Sequence, residues 1–284
     1  MAEQAGRPAA QYLSSEHVIE EFSHHGMKRL EHMSIPQTLV LSMMAGGFIT
    51  MGALFSVLLS EHVQPQGLKY LMQGIGFSTG FFFVILSSAI LFTEANVVLP
   101  STLLYQHQKS FIPKVIRFWA LAWVGNFIGA IIIGWLIFMA QFYSPDVHEG
   151  LTAFVAKKMY YSTIGTPTAW FQAMLSGILA NWLVGMAAFF ATMGRTIFGK
   201  YIPVLLGVTL FVSGNFQHSP ANMGYFALIM PGGQGPGWLS ALIWNIIPVG
   251  IGNMIGGAFL VALPFWYALR NVTPETDQGD AHIS

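Results

Sequence analysis

The sequence predicts an all-α integral membrane protein with six transmembrane helices, of which the second and the fifth are broken. Three observations support this prediction. The chain of 284 residues is 54% hydrophobic and only 8% charged, whereas soluble domains carry about 25% charged residues. It contains six apolar segments that are each long enough to cross a bilayer. Polar stretches that contain glycine or proline interrupt two of these segments.

The composition also excludes several classes of function. The chain has no cysteine, which excludes disulfides and thiolate chemistry. Its formal net charge of +0 argues against a nucleic-acid partner. The first 30 residues are charged and hold no apolar core, so we expect no cleavable signal peptide. No metal-binding histidine spacing or serine–base pair accompanies the apolar segments, so we expect no enzyme, cofactor or metal.

The N-terminal segment is predicted to contain an amphipathic helix at the membrane surface. Ser14 is a candidate N-cap, and Val18, Phe22 and Leu30 follow at helical spacing. The end of the chain is polar, which predicts a disordered tail. The chain therefore divides into a cytoplasmic N-terminal segment, a six-helix transport domain and a cytoplasmic polar tail, at residues 1–35, 36–270 and 271–284.

The six apolar segments predict six spans. A spanning helix needs about 20 mostly apolar residues, and the candidates are residues 36–60, 70–104, 112–140, 167–194, 202–230 and 238–269. Polar inserts interrupt the second span at residues 91–100 and the fifth at residues 211–223. Discontinuous helices at corresponding positions of two halves indicate the binding site in many transporters.

A short repeated motif supports an inverted repeat of three plus three helices. Gly125-Asn-Phe-Ile-Gly-Ala130 in the third span matches Gly252-Asn-Met-Ile-Gly-Gly257 in the sixth. Small residues at this spacing also allow helices to pack closely, which is the alternative interpretation. The two broken helices at matching places favour the repeat.

The distribution of lysine and arginine predicts that both termini are cytoplasmic, because cytoplasmic loops of membrane proteins carry an excess of these residues. With the N-terminus inside, nine basic residues fall in cytoplasmic segments and three in outer loops. The inner set is Arg7, Lys28, Arg29, Lys109, Lys114, Arg117, Arg195, Lys200 and Arg270, and the outer set is Lys69, Lys157 and Lys158.

His218 is the strongest candidate functional residue. It lies in the polar insert of the fifth span, and an ionisable group at membrane depth usually serves a function. Imidazole donates a hydrogen bond when neutral and gains a positive charge after a modest change in pKa. A donor of this kind lowers the cost of desolvating an anion in a pore. The alternative is a structural histidine whose hydrogen bonds are satisfied within the protein.

Glu94 is the only acidic residue between Glu61 and Asp146, so it also lies at membrane depth. Two interpretations are open. The carboxyl group acts as a proton relay or attracts cations, or backbone N–H groups at the start of the following half-helix hold it. Thr93 and Asn96 are polar neighbours that either contact solute or cap freed backbone amides.

Further candidates surround the two inserts. Asn181 is a polar residue in the middle of the fourth span, where it either joins helices or contacts solute. Aromatic side chains near the inserts form hydrophobic constrictions or ordinary packing. These aromatic candidates are Phe77, Phe81, Phe92 and Phe211.

Four motifs carry a resemblance to the formate/nitrite transporter family over nearly all of residues 30–270. They are Leu91-Phe-Thr93, Gly177-Ile-Leu-Ala-Asn181, His218-Ser-Pro-Ala-Asn-Met223 and Asn245-Ile-Ile-Pro-Val-Gly-Ile-Gly-Asn-Met-Ile-Gly-Gly257. The resemblance implies an aquaporin-like protomer with inverted repeats, assembled as a homopentamer in the inner (plasma) membrane. Each protomer would have its own pore for small monovalent anions.

The resemblance also implies roles for individual residues. His218 would be the central pore histidine, with Thr93 and Asn181 as its hydrogen-bonding companions. Two constrictions would flank it, one formed by Phe77 and Phe211 and the other by Phe81, Leu91 and Phe92.

The sequence departs from the family pattern at two places. The family usually has a lysine between the third and fourth spans, and this position aligns near Gly165 here. Lys157 or Lys158 takes its place only if the loop is longer. Glu94 occupies a position that normally holds a small neutral residue. The chain is therefore expected to be a divergent member.

The predicted function is permeation of small monovalent anions, passive or proton-linked, with assistance from His218. Formate is the first candidate substrate, followed by nitrite, acetate, lactate and hydrosulfide. The alternative is an aquaporin-like channel for a neutral solute or a cation, which applies if Glu94 stays ionised in the pore.

Overall fold

The computed structural model describes residues 12–140 and 143–271, and nearly all of this part is helical. The predicted polar tail lies outside the described residues, except for Asn271. Eleven helices are numbered here within the described part: α1 Ser15–His32, α2 Ile35–Ser60, α3 Gln66–Ser87, α4 Phe92–Gln106, α5 Ile112–Ala140, α6 Pro145–Lys158, α7 Tyr160–Ile164, α8 Pro167–Met193, α9 Ile197–Ser213, α10 Ser219–Ile229 and α11 Trp238–Leu269.

The six predicted spans are confirmed. Helices α2, α3, α5, α8 and α11 are each long and apolar enough to cross a bilayer. The second span continues from α3 into α4, and the fifth consists of α9 and α10. Helix α11 runs through two π-helical turns, which change its register without ending it. We refer to the end of the bundle that carries α1 as the α1 face and to the opposite end, which carries α6, as the α6 face.

Both breaks are shorter than the polar inserts suggested. The first covers residues 88–91 and begins at Ser88, which has a left-handed conformation with φ of 56°. Thr93 and Glu94 therefore lie in the first turn of α4 rather than in unwound chain, and Pro100 lies inside that helix. The second break covers residues 214–218 and contains Asn215 with φ of 54°.

Asn126 of α5 holds the first break in place. Its Oδ1 accepts a hydrogen bond of 2.8 Å from the backbone N–H of Phe92, the first residue of α4. Its Nδ2 donates to the carbonyl groups of Ser42 at 2.8 Å and Ile90 at 2.9 Å. One buried amide thus satisfies backbone groups that the broken helix would leave unpaired.

Asn253 of α11 makes the same set of contacts in the second half. Its Oδ1 accepts from the N–H of Ser219, the first residue of α10, at 2.8 Å. Its Nδ2 donates to the carbonyl groups of Gly177 at 2.8 Å and Gln217 at 3.3 Å. Because Asn126 and Asn253 occupy equivalent places in the repeated motif, the two halves share one design for holding a broken helix.

Glycines of the same motif allow helices to cross at close distance. A Cβ atom on Gly129 would clash with the carbonyl oxygen of Met43 in α2, and one on Gly256 would clash with that of Ile178 in α8. Both approaches exclude any larger residue. The glycines of the repeated motif therefore allow close helix packing, and its asparagine forms hydrogen bonds to the backbone of the broken helix.

Helix α1 packs on the protein instead of lying only on the membrane surface. Its side chains Val18, Ile19 and Phe22 are buried in one apolar cluster with residues of α4, α8 and α11. The apolar face predicted from the sequence is correct, but its partner is the helix bundle. Burial against close-packed side chains removes this face from contact with lipid or water.

The connection between the third and fourth spans was predicted as a loop, and it contains two helices, α6 and α7. Ser144 caps α6 by accepting a hydrogen bond from the N–H of Val147 at 3.4 Å. The side chains of Val147, Leu151 and Phe154 are buried in the main core. Helix α6 therefore packs with its apolar side on the end of the bundle, beside the second break.

Candidate functional site at the junction of the broken helices

The two broken helices meet through His218 and Thr93. His218 is the N-cap residue of α10, and Thr93 is the second residue of α4. The imidazole Nε2 lies 2.9 Å from the Thr93 hydroxyl oxygen, and both residues are buried. Residues that are 125 positions apart in sequence therefore form one polar contact at the centre of the bundle.

The second nitrogen of His218 identifies the tautomer of the neutral ring. Nδ1 accepts a hydrogen bond from the backbone N–H of Ala221 at 3.2 Å, so it carries a lone pair. The proton of a neutral imidazole then resides on Nε2, which donates to the Thr93 hydroxyl oxygen. The Thr93 hydroxyl hydrogen stays available for a third group.

Aromatic rings cover the His218–Thr93 contact on one side. Phe211 lies with its ring centroid 5.3 Å from that of His218 and 5.6 Å from that of Phe77, which it meets edge to face. Tyr225 stacks on Phe77 at 6.0 Å and donates or accepts a hydrogen bond with Ser56. The structure thus brings together the two residues of the first expected constriction.

The residues of the other expected constriction are distributed over two clusters. Phe81 and Leu91 are buried in the main core, which also contains Phe77 and Phe211. Phe92 belongs to a separate apolar cluster with side chains of α5. The role of these three residues as a constriction stays a prediction.

Asn181 of α8 holds the junction rather than contacting the His218 ring. Its Nδ2 donates to the backbone carbonyl of Thr93 at 3.2 Å and to that of Asn253 at 2.7 Å. Its Oδ1 is buried and has no hydrogen-bond partner within the described residues. One side chain therefore joins the start of α4 to α11.

Replacing Asn181 by leucine is expected to destabilise the protein by about 2 kcal/mol and to lower flux less than loss of His218 does. Leucine leaves two buried carbonyl groups without a donor, and each unsatisfied group costs about 1 to 3 kcal/mol before the structure relaxes. Thermal unfolding in detergent and liposome flux measure the two effects. The matched control is Leu179→Ala, which alters a half-exposed residue of the same helix. Flux as low as that of His218→Ala would assign Asn181 a direct part in permeation.

Lys158 lies beside the second break, although it occurs in the connection between spans. Its Nζ donates to the backbone carbonyl of Phe216 at 3.2 Å, and only 4% of the residue is exposed. Burial, together with the neighbouring charge of Lys157, lowers the pKa of Lys158 to about 7. The structure thus places Lys158 close to the second break. Gly165, the position that aligns with the lysine of the family, lies at the end of α7.

A network of amides attaches the end of α6 to the second break. Asn245 donates from Nδ2 to the carbonyl of Lys158 at 2.7 Å and to Oε1 of Gln217 at 3.1 Å. Gln217 Oε1 also accepts from Asn222 at 2.8 Å. These buried side chains therefore fix the position of Lys158 relative to His218.

Glu94 is paired with an arginine, which corrects the expectation that backbone N–H groups hold it. Its Oε2 lies 3.3 Å from Nη1 of Arg29 in α1, and the side chains of Glu94 and Arg29 are 12% and 7% exposed. Arg29 also approaches the carbonyl of Ser88 at 3.5 Å. Because the carboxylate has a cationic partner, it does not need to be neutral to be buried.

A cavity of about 600 Å³ opens from the α6 face to the second break. Its lining includes Lys157 and Tyr161 near the surface and Asn215 and Gln217 in the break. A solute that enters here reaches the segment that carries His218. The cavity therefore connects the α6 face with the second break.

Several residues of the site were missed by sequence reasoning. Arg29, Gln217 and Tyr225 were not singled out, and the local pattern around them gives no sign of their long-range partners. The repeated motif contained a usable signal, because Asn126 and Asn253 are polar residues in otherwise apolar spans.

Six spans whose two broken helices meet through buried polar side chains, with a cavity that leads to the second break, define a membrane channel or transporter. A family model described as formate/nitrite transporter matches residues 16–267. The chain belongs to the formate/nitrite transporter family.

Similar proteins and structures agree with this assignment. The chain is 30% identical to a probable formate transporter of Methanothermobacter thermautotrophicus, over 84% of this chain and 90% of the relative. It is 26% identical to the formate channel FocA of Escherichia coli K12, over 81% of this chain and 85% of the relative.

Two solved structures share the fold. A chain described as an FNT family ion channel superposes with a TM-score of 0.74 at 22% identity and covers 89% of this chain and 98% of its own length. A pentameric formate channel with formate bound gives a TM-score of 0.69 at 23% identity, with coverages of 84% and 98%.

Proposed function

We propose that this protein is a channel for small monovalent anions, with formate as the first substrate to test. The contact between His218 and Thr93 carries the proposal, because it places a hydroxyl donor where both broken helices begin. The N-terminal ends of α4 and α10 also bring partial positive charge to this junction. An anion is the solute that such a junction stabilises.

Permeation proceeds in three steps in this proposal. Lys157 and Lys158 raise the anion concentration in the cavity on the α6 face. The pair of Phe77 and Phe211 then removes water from the anion. The Thr93 hydroxyl donates a hydrogen bond to it while His218 supports that hydroxyl through Nε2–H. No covalent bond forms or breaks.

The tautomer of His218 favours hydrogen-bond donation over complete proton transfer. Loss of the Nε2 proton would leave an imidazolate unless Nδ1 gained a proton. A proton on Nδ1 would face the N–H of Ala221 and break the cap of α10. We therefore infer that the ring stays neutral as an anion passes.

The ion pair of Glu94 and Arg29 supports an anion over a cation. Two opposite charges at 3.3 Å cancel most of each other's field at a distance. A cation-selective pore would need an unpaired carboxylate in the path. The neutral-solute or cation channel remains the second candidate because Glu94 lies only one residue from Thr93.

Swelling and efflux of proteoliposomes test the substrate class. The anion panel is formate, nitrite, acetate, lactate and hydrosulfide, and the comparison solutes are glycerol and methylammonium. We expect formate to permeate faster than the two comparison solutes, after subtraction of flux through protein-free liposomes. Faster methylammonium or glycerol flux would favour the second candidate.

Anion entry from the α6 face is expected to slow as pH rises through about 7, because burial lowers the pKa of Lys158 to about 7 and the side chain loses its charge over that range. Lys158→Arg keeps its charge and should remove this part of the pH dependence. Lys157→Met should move the midpoint of the pH profile to higher pH, since it removes a neighbouring charge that lowers the pKa of Lys158. Initial rates between pH 5.5 and 8.5 measure both effects. Identical profiles for wild type and Lys158→Arg would exclude Lys158 as the titrating group.

We propose that the protein is a homopentamer in the inner (plasma) membrane with the α1 face in the cytoplasm. The excess of lysine and arginine near the α1 face supports this orientation. Because the chain has no cysteine, Ser110→Cys and Gln66→Cys give single labels on opposite faces. An impermeant thiol reagent should label only the Gln66→Cys variant in intact cells, and native mass spectrometry should give the mass of five chains.

A further inference from the structure

Three potential metal ligands meet on the α6 face, away from the junction of the broken helices. They are Glu61 and His62, at the end of α2, and Asp146, in the first turn of α6. His62 Nε2 lies 3.1 Å from Asp146 Oδ2 and 3.8 Å from Glu61 Oε1. All three ligand atoms lie within 4.8 Å of one another.

These separations suit a common divalent ion. Zinc binds imidazole nitrogen and carboxylate oxygen at about 2.1 Å, so ligand atoms around a tetrahedral ion are roughly 3.4 Å apart. The two measured separations of 3.1 and 3.8 Å bracket that value. Two of the three ligand pairs are thus already spaced as they would be around one ion, and the third pair lies within 4.8 Å.

One oxygen of the Glu61 carboxylate lacks a hydrogen-bond donor in the described part of the chain, although 18% of the side chain is exposed. Its Oε1 is buried and accepts no hydrogen bond within the described residues. Glu61 also lies at the C-cap of α2, where the helix dipole is negative and disfavours an anion. A buried oxygen with a negative charge and no donor is stabilised by a metal ion.

We propose that Glu61, His62 and Asp146 bind a divalent first-row transition metal ion such as Zn²⁺. Two carboxylates balance the charge of the ion, and the imidazole favours a transition metal over Mg²⁺ or Ca²⁺. A cavity of about 300 Å³ lined by all three side chains leaves room for water at the fourth position. The site departs from the expectation that the chain binds no metal.

Bound metal ties α6 to the turn between α2 and α3. This cavity shares Gln73, Phe154 and Lys157 with the larger cavity that leads to the second break. The metal site therefore lies beside the entrance from the α6 face. Its occupation stabilises that wall of the entrance, since an ion that binds only the folded state raises stability.

Calorimetry with Zn²⁺ tests the site on purified protein in detergent, prepared without a polyhistidine tag. We expect one Zn²⁺ per chain, no comparable binding of Mg²⁺, and an increase in unfolding temperature that a chelator reverses. His62 has φ of 55°, so His62→Asn removes the ligand and keeps a residue that tolerates this conformation. Loss of ligand-orienting groups already weakens metal sites about 10- to 100-fold. The His62→Asn variant should lose at least about tenfold in affinity.

Glu61→Gln is the second test, because it preserves shape and removes only the charge, and it should weaken Zn²⁺ binding in the same way. The matched control is His148→Asn, which removes another histidine of the α6 face that is not part of the cluster. This control should bind Zn²⁺ as the wild type does. Absence of Zn²⁺ binding by the wild type, or equal affinity in His62→Asn, would overturn the proposal and leave an exposed ion pair.

Discussion

Replacing His218 by alanine is expected to lower formate flux through proteoliposomes by about 10- to 100-fold in a protein that still folds and assembles. The variant lacks the Nε2–H donor that supports the Thr93 hydroxyl. Without this support the hydrogen bond from Thr93 to the anion weakens; a hydrogen bond to an ionised group contributes about 1.5 to 3 kcal/mol, and every 1.36 kcal/mol in a barrier changes a rate tenfold. Efflux from formate-loaded liposomes measures the loss.

Thr93 provides a matched pair of variants for the same contact. Thr93→Val preserves shape and removes the hydroxyl, so it should lower flux about as much as His218→Ala does. Thr93→Ser retains the hydroxyl and should keep flux within about threefold of the wild type, since only a methyl group is lost. Equal flux in the valine and serine variants would show that the hydroxyl does not contact the anion.

The capping role of His218 needs its own control. The ring accepts a hydrogen bond from Ala221, and loss of an N-cap costs about 0.5 to 2 kcal/mol of stability. His218→Asn keeps a side chain that can cap α10 and therefore separates the cap from the donor. Size-exclusion chromatography verifies the assembly of each variant. Wild-type flux and pH dependence in a folded His218→Ala variant would contradict the proposed role.

Replacing Arg29 by methionine is expected to destabilise the protein by about 3 to 5 kcal/mol, because it leaves the Glu94 carboxylate buried without its partner. The uncompensated charge lies in the first turn of α4, one residue from Thr93. Anion flux should therefore fall as well, through repulsion between the carboxylate and the permeating anion. Thermal unfolding in detergent and formate efflux measure the two effects.

Glu94→Gln should preserve anion flux, since it removes a negative charge and leaves an amide oxygen for the guanidinium. The double variant Arg29→Met with Glu94→Gln should recover stability and flux compared with Arg29→Met alone. Recovery of this kind is the signature of coupled residues in a double-mutant cycle. Additive effects would show that the two residues act separately. Abolished transport in a folded Glu94→Gln variant would instead make Glu94 a proton-relay or cation site.

The ion pair of Arg29 and Glu94 also attaches helix α1 to the bundle. Arg29 belongs to α1, which the sequence predicts as an amphipathic helix, and Glu94 belongs to the second span. Their ion pair and the apolar cluster around Phe22 attach α1 to the bundle at two places. Loss of the ion pair removes one of these attachments beside the first break.

Local sequence patterns determined the class of the protein and the number of its spans. Apolar segments of sufficient length specify transmembrane helices because no other open structure satisfies backbone groups in lipid. The same reasoning identified both breaks and His218 as a residue at membrane depth. The repeated motif indicated two related halves before any contact was known.

Only the tertiary structure decided which residues meet. His218 and Thr93 are 125 positions apart, and Arg29 and Glu94 are 65 apart. The sequence left Glu94 open between a proton-relay or cation site and a carboxylate held by backbone N–H groups, and the structure shows an arginine from α1 as its partner. Lys158 reaches the second break because helix α6 packs back onto the end of the bundle, where Lys158 contacts Phe216. Hydrophobic periodicity reports how each segment meets lipid or core, whereas polar partners depend on how distant helices pack, which no local pattern encodes.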